Sequence, residues 1–217
     1  MNETDRFSRQ RDVVPAERLA ECDITIVGVG ALGRQVALQL AAVGAPRMIL
    51  IDFDVVEESN LASQGYLEAD LSRPKVQATA EQCRRINSRV EIVETNDRFR
   101  RSMNVGNVTF ACVDKINARE LVWDSVKDSV SFFGDGRMTA EVVRVLTAHD
   151  ADSREHYAST FFPQVEAHIG ACTSRMTIFA ANVAAGLLIS QFSRWLRGLP
   201  ASRDLTLNLL ADELSIL

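Results

Sequence analysis

No C-x-x-C pair occurs in this chain. Its four cysteines, Cys22, Cys83, Cys112 and Cys172, are widely spaced, so a zinc site built from paired cysteines is excluded and no zinc is expected. No apolar run is long enough to span a bilayer. The opening residues, MNETDRFSRQRDVV, lack the apolar centre of a secretory signal. Excess positive charge is lacking too. The formal net charge is −5, which implies no general attraction to nucleic acid or to a membrane. Histidine is scarce: His149, His156 and His168 fit no familiar zinc spacing and read as loop residues. Structural disulfides are not expected in a reducing compartment, and the cytoplasm is the expected location.

What is present is ordinary globular material. The chain has 217 residues, 47% hydrophobic and 24% charged. That is enough for one well-buried domain and too little for two large ones. Residues 1–22 read as an arm with one short helix, 15–20, whose Pro15 suits a first helical position. Residues 23–64 organise the remainder. An apolar run, 24–27, ends at Gly28. Gly28, Gly30 and Gly33 then form G-x-G-x-x-G. A helical pattern follows over 31–43 and stops at Gly44. A second apolar run, 48–51, ends at Asp52. Strand, glycine turn, helix and strand in this order predict a nucleotide-binding βαβ unit.

Each glycine has its own task. Gly28 permits the tight turn, Gly30 lets a phosphate approach the backbone, and Gly33 lets the helix pack close to the sheet. The free N–H groups and the positive end of the helix dipole then face the phosphates. Asp52, at the tip of the second strand, is placed to accept hydrogen bonds from ribose hydroxyls. This much predicts a mononucleotide or dinucleotide site without saying which.

Further along, residues 62–71 read as irregular, and a helix over 75–86 opens at Pro74 and Lys75. A lysine at a helix start is disfavoured by the dipole, so a bound anion would explain Lys75; a plain surface lysine is the alternative. Strands are expected at 90–94 and 107–113, with Asp114 at the tip of the second. A helix follows over 116–126, for which Asp114 could also serve as cap. Residues 131–134 read as a strand, Asp135-Gly136 as a turn, and 141–147 as the next strand. Residues 147–173 read as a crossover loop. The pattern of 174–196 is a helix apolar nearly all round and therefore buried. Leu205, Leu207 and Leu209 alternate as a last strand. The fold class expected is α/β: a Rossmann-like, doubly wound sheet, mostly parallel, with antiparallel C-terminal strands.

The residues after Asp52 are more specific. D-x-D-x-V-x-x-S-N-L runs through Asp52, Asp54, Val56, Ser59, Asn60 and Leu61, and a simple NAD site does not need it. With the opening R-F-S-R-Q, from Arg6 to Gln10, it resembles the ThiF/MoeB and ubiquitin-activating-enzyme superfamily. The likeness covers residues 6 to about 119, and the chain looks like a compact bacterial member. The resemblance implies ATP and Mg²⁺ as cofactors. It implies adenylation of the C-terminal glycine of a ubiquitin-like or sulfur-carrier β-grasp protein, with a conjugating enzyme as a conceivable second partner. Gly28, Gly30, Gly33, Asp52, Asp54, Asn60, Gln64, Lys75 and Arg119 become nucleotide-binding positions. Asp114 becomes the Mg²⁺ carboxylate. Arg9 becomes the arginine that reaches the triphosphate of a partner subunit, which implies a homodimer. Cys172 becomes the nucleophile that takes the acyl group as a thioester, and the other three cysteines fit a buried structural role better.

Two departures from the family stand out. Many relatives carry two C-x-x-C pairs around a zinc, absent here. The family motif continues N-L-x-R-Q, with the arginine on phosphate, whereas this chain has Ser63 at that place. Either another arginine such as Arg73 substitutes, or ATP is held more weakly. Two alternatives from other classes stay open at this point: an NAD-dependent oxidoreductase, and a nucleotide-binding scaffold without turnover.

Overall fold

The computed structural model describes residues 6–163 and 177–217. After a 3-10 turn at Ser8–Gln10 the chain runs through α1 (Ala16–Ala20), β1 (Asp23–Val27), α2 (Ala31–Val43), β2 (Arg47–Ile51) and α3 (Glu58–Gln64). It continues through α4 (Lys75–Ile86), β3 (Glu91–Thr95), β4 (Val108–Ala111), α5 (Ile116–Val126), β5 (Phe132–Thr139) and β6 (Val142–Ala148). The last elements are α6 (Ala151–Ser159), α7 (Ile178–Leu196), β7 (Asp204–Asn208) and β8 (Glu213–Ile216). The eight strands of the described residues form one sheet in the order β3-β2-β1-β4-β5-β6-β7-β8. The first five are parallel neighbours, and β6, β7 and β8 are antiparallel additions. The strand order reverses between β1 and β4, and the crevice at such a switch point is where α/β sheets bind ligands.

Both faces of the sheet are covered, which is why β1, β2 and β4 are mainly apolar. On one face α2, α4 and α7 bury Val36, Leu40, Val76, Ala80, Leu188 and Phe192 against Ile24, Ile26 and Phe110. On the other, α5 and α6 bury Trp123 and Tyr157 against Ala111, Phe133 and Leu146. Adjacent residues Phe132 and Phe133 go to opposite faces, as the two-residue period of a strand requires. Small residues on α7, Ala181, Ala184 and Ala185, bring it close to the sheet. Among the described residues no helix is long and apolar enough to cross a membrane.

Five local expectations need correction. Asp135-Gly136 is not a turn: β5 runs straight through it, and the chain reverses at Ala140-Glu141, where Ala140 takes φ 52°. Asp135 is tolerated within the strand because ion pairs satisfy its carboxylate. Residues 62–71 are not irregular throughout, since α3 runs to Gln64 and a 3-10 turn occupies Glu68–Asp70. The stretch 147–173 is not all loop, because α6 lies inside it. That helix buries little beyond Tyr157 and Ser153, so it has no apolar periodicity to read; Asp150 caps it by accepting from the Ser153 amide at 2.8 Å. Helix α7 is not buried all round, as Phe179 is 50% exposed. Strand β8 is an exposed edge strand that the pattern did not announce.

Candidate functional site

The site is built at the carboxyl ends of β1, β2 and β4. Gly28 follows β1 with φ 87°, and a Cβ there would meet the Cys112 carbonyl at 2.8 Å. A Cβ at Gly33 would run into the Gly28 carbonyl, so this glycine allows the close seat of α2 on the sheet. Gly30 is the N-cap of α2 and no side chain caps the helix. Its first amides therefore point outward with no intrahelical partner, where an anion would find them.

Asp52 ties this loop to β2. Its Oδ2 accepts the Val29 amide at 2.7 Å and its Oδ1 the Asp54 amide at 2.8 Å. Burial pushes the carboxyl above its ordinary value, and these two amide bonds and Lys75 oppose that rise. Each oxygen keeps a second lone pair for a hydroxyl. Lys75 opens α4 with its side chain 7% exposed and its Nζ 3.2 Å from Asp54 Oδ2. Its amide also donates to the Asp54 carbonyl at 2.9 Å. Lys75 is thus a nearly buried cation held at the mouth of the glycine loop, and the surface-lysine alternative is set aside.

Asn60 has a framework task. Its Oδ1 accepts the Glu57 amide at 3.0 Å, completing a reciprocal cap on α3. Gln64 closes the same helix. It is 9% exposed, its Oε1 lacks any hydrogen-bond partner, and that atom lies 3.7 Å from where a Gly30 Cβ would be. An unsatisfied buried amide beside an uncapped helix start fits a bound polar ligand.

Asp114 follows β4 and is exposed. It does not cap α5, whose N-cap is Lys115 without a side-chain bond. Among the described residues no group of three or more His, Cys, Asp or Glu side chains could hold a metal ion. Mg²⁺ asks for less: one or two carboxylates, with waters and phosphates completing its shell. Asp114, exposed after β4, the strand next to β1, is a carboxylate that fits that requirement.

Two predicted site residues stand elsewhere in this chain. Arg119 lies beneath the site and is committed to a buried ion pair with Asp135, which also accepts from Arg137 Nε at 2.8 Å and from the Tyr157 hydroxyl at 3.1 Å. Burial pushes the Arg119 guanidinium down to about 10. Its guanidinium is thus engaged inside the fold by the Asp135 carboxylate. Arg9 sits exposed in the 3-10 turn at the far end of α2, where Gln10 Nε2 donates to the Val43 carbonyl at 2.6 Å. Across the 13 residues of α2 that is about 20 Å from Gly30 at 1.5 Å per residue. Arg9 therefore cannot reach the glycine loop of its own chain. Cys172 and His168 lie outside the described residues. Cys22, Cys83 and Cys112 are free, and burial pushes their thiols up to about 11, 12 and 12, so none is disposed to act as a thiolate.

Three contributors escaped the sequence reading. The Tyr66 hydroxyl donates to the Val29 carbonyl at 2.6 Å and meets Thr79 Oγ1 at 3.0 Å, tying the glycine loop to α4. Asp135 looked like a turn residue. Arg34 follows Gly33 directly; the dipole argument that singled out Lys75 applies equally to a cation in the first turns of α2.

A family model described as ThiF family matches residues 7–210. The chain belongs to the ThiF family. A molybdopterin-synthase adenylyltransferase of Salmonella typhimurium is 31% identical over 125 residues, covering 52% of this chain and 50% of that protein. The adenylyltransferase and sulfurtransferase MOCS3 of Sus scrofa is 40% identical over 114 residues, 50% of this chain and 25% of its own length. The chain thus spans a quarter to a half of these curated relatives. Among solved structures, E. coli MccB superimposes with a TM-score of 0.81 over 100% of this chain and 70% of that one, at 17% identity. PaaA gives 0.79 over 99% and 82%, at 20%. At such identities the likeness shows the fold, and it is that of a ThiF-type sheet.

Proposed function

We propose that this chain is an ATP-dependent adenylyltransferase that activates the C-terminal glycine of a ubiquitin-like or sulfur-carrier protein. The observation that carries the reading is that an uncapped helix start, the buried Asp52 and the exposed Asp114 follow the carboxyl ends of the neighbouring strands β1, β2 and β4, with the nearly buried Lys75 tied to Asp54. Curated ThiF relatives named adenylyltransferases support the reaction class. A SAMP-activating enzyme E1 of Haloferax volcanii, 34% identical over 124 residues, supports a protein substrate. Family membership also favours adenylation over hydride transfer to NAD.

Asp52 would hold the ribose and the α2 start the phosphates. A carboxylate oxygen of the partner's last glycine attacks the α-phosphorus, the bond to the β-phosphate oxygen breaks, and pyrophosphate leaves. Lys75 offsets charge on the phosphates, and Arg9 of a second copy would do so from outside, which makes the working form a homodimer. Mg²⁺ held by Asp114 would screen the same charge. Cys172 would then attack the acyl carbon as a thiolate and release AMP; the raised thiols of Cys22, Cys83 and Cys112 make them unsuitable for that step. Three free cysteines fit a reducing compartment, the cytoplasm.

Calorimetric titration with ATP and with NAD, each with and without Mg²⁺, tests the first step without a partner. Magnesium-dependent ATP binding that Asp114→Ala abolishes is expected. NAD binding in its place would sink the reading. Pyrophosphate exchange with a glycine-ended partner should fall about 100-fold in Lys75→Ala.

A further inference from the structure

Arg34 is a buried cation without an ionic partner among the described residues. It is 4% exposed, on the second turn of α2, one residue after the glycine that seats the helix. Its Nε has no hydrogen-bond partner. Its guanidinium lies over the Tyr66 ring, 4.8 Å from the centroid, and Nη1 is 3.7 Å from where a Gly65 Cβ would be. Asp70, an acid that acts on it through space, is occupied by Arg73 at 3.0 Å. Beside it the Gln64 Oε1 is also unpartnered and faces Gly30. Two unused polar groups, each more than nine-tenths buried, therefore flank a helix start whose amides are themselves uncapped. Leaving a guanidinium in that state is costly unless an anion completes it.

We propose that Arg34 is the phosphate-binding arginine of this site, reaching the β- or γ-phosphate of ATP from α2 with Gln64 beside it. The inference rests on the nucleotide reading given above. It also accounts for Ser63. That side chain is spent on its own helix, its Oγ donating to the Ser59 carbonyl at 2.8 Å, and carries no charge. Arg73 does not substitute, because Asp70 and Glu81 already hold it at 3.0 and 2.7 Å. Arg34 enters the same space from the other side, since its Nη1 approaches Gly65, two residues beyond Ser63. Side chains on a helix lean toward its N-terminus, the end at which the phosphates would sit. A guanidinium fork suits two phosphate oxygens at once.

The test is a binding ratio. ATP and adenosine are titrated into wild type, Arg34→Met, Arg34→Lys and the double variant Arg34→Met with Ser63→Arg. In Arg34→Met the ATP Kd should rise about 10- to 100-fold, as loss of a charged hydrogen bond implies, while the adenosine Kd stays within about twofold. Arg34→Lys should lose less, and Ser63→Arg should restore ATP binding by returning the charge from α3. An ATP Kd unchanged in a folded Arg34→Met, or ATP and adenosine weakened alike, would overturn the proposal and leave Arg34 as packing for Tyr66. If Arg34→Met does not fold, wild type decides. Inorganic tripolyphosphate should shift the Arg34 Nε–H resonance; amide shifts at Gly30 with Arg34 unmoved would overturn the proposal. Wild type that binds neither ATP nor tripolyphosphate would sink the nucleotide reading itself, a result distinct from ATP binding indifferent to Arg34.

Discussion

The parallel half of the sheet and its antiparallel half manage polar groups in opposite ways. In the parallel half, the inner strands β1, β2 and β4 are mainly apolar and the candidate site residues wait at their tips: Gly28, Asp52 and Asp114. From β5, the strand that joins the parallel half to the antiparallel one, onward to β7, buried carboxylates lie in the strands themselves. Asp135 on β5 takes Arg119, Arg137 and Tyr157, and Asp204 on β7 takes Arg144 at 2.5 Å and His156 at 2.8 Å. Tips can be left open to a ligand, whereas strand interiors must be satisfied within the chain. The difference separates the part of the molecule that carries the candidate site from the part that braces it.

The largest expected effect comes from breaking the bracing. Asp135→Ala would leave two arginines, one of them buried, without their shared carboxylate. Loss of one partner from a buried pair costs about 3–5 kcal/mol. Urea unfolding should show that loss, and a change below about 1 kcal/mol would mean that the aromatic cluster of Trp123, Phe133 and Tyr157 holds this layer without it.

The next effect should distinguish the halves by pH. In the parallel half, Cys83 and Cys112 have folded-state values near 12 against an ordinary 9.0. Above pH 9 the unfolded chain ionises first and so binds fewer protons than the folded one, and stability falls as pH rises. At pH 10 the loss is about 1.4 kcal/mol per thiol, or about 3 kcal/mol for the two. A urea midpoint equal at pH 8 and pH 10 would contradict the burial of both thiols.

A smaller effect marks the antiparallel half at the other end of the scale. Burial alone would raise the Asp204 carboxyl, but its bonds from Arg144 and His156 outweigh that and hold it below the ordinary 3.8. This stability is present above pH 3.8 and is lost as pH falls through the depressed folded value. Arg144 is 37% exposed, so solvent screening reduces the contribution to about 1–2 kcal/mol. Asp204→Asn should flatten the acid limb of the stability profile and leave the alkaline limb alone. An unchanged acid limb would mean that other carboxylates govern it.

The same contrast explains what could be read from the residues in order. Strand, glycine turn, helix and strand were legible because each used a local signal: the apolar run of β1, φ-positive Gly28, and Gly44 as the stop of α2. The placement of Lys75 at the start of α4 and of Asp114 between β4 and α5 was legible from the strand and helix pattern, while their roles rest on the family resemblance. The ion pair of Arg119 was not legible, because sequence shows that an arginine follows Asp114 but not that a carboxylate 16 residues later claims it. Asp135-Gly136 misled for the same reason, since a turn signal was overruled by partners distant in sequence. Arg9 is legible as a motif, yet its distance from Gly30 appears only once α2 is built. Arg34 carried a readable signal, a cation near a helix start, that was applied to Lys75 and not to it.

The mildest change tests where the antiparallel half turns. The reversal falls at Ala140-Glu141, and Ala140 holds φ 52°, a conformation that favours glycine. An alanine there is strained by about 1–2 kcal/mol, while glycine would cost more entropy in the unfolded chain. Ala140→Gly should therefore stabilise the protein by about 0.5–1 kcal/mol, read as a raised thermal midpoint. The Asp135-Gly136 alternative expects the reverse, because residue 140 would then lie in extended chain where glycine weakens a strand. A lowered midpoint would thus return the turn to Asp135 and remove that carboxylate from its buried cluster, undoing the contrast between binding tips and braced interiors.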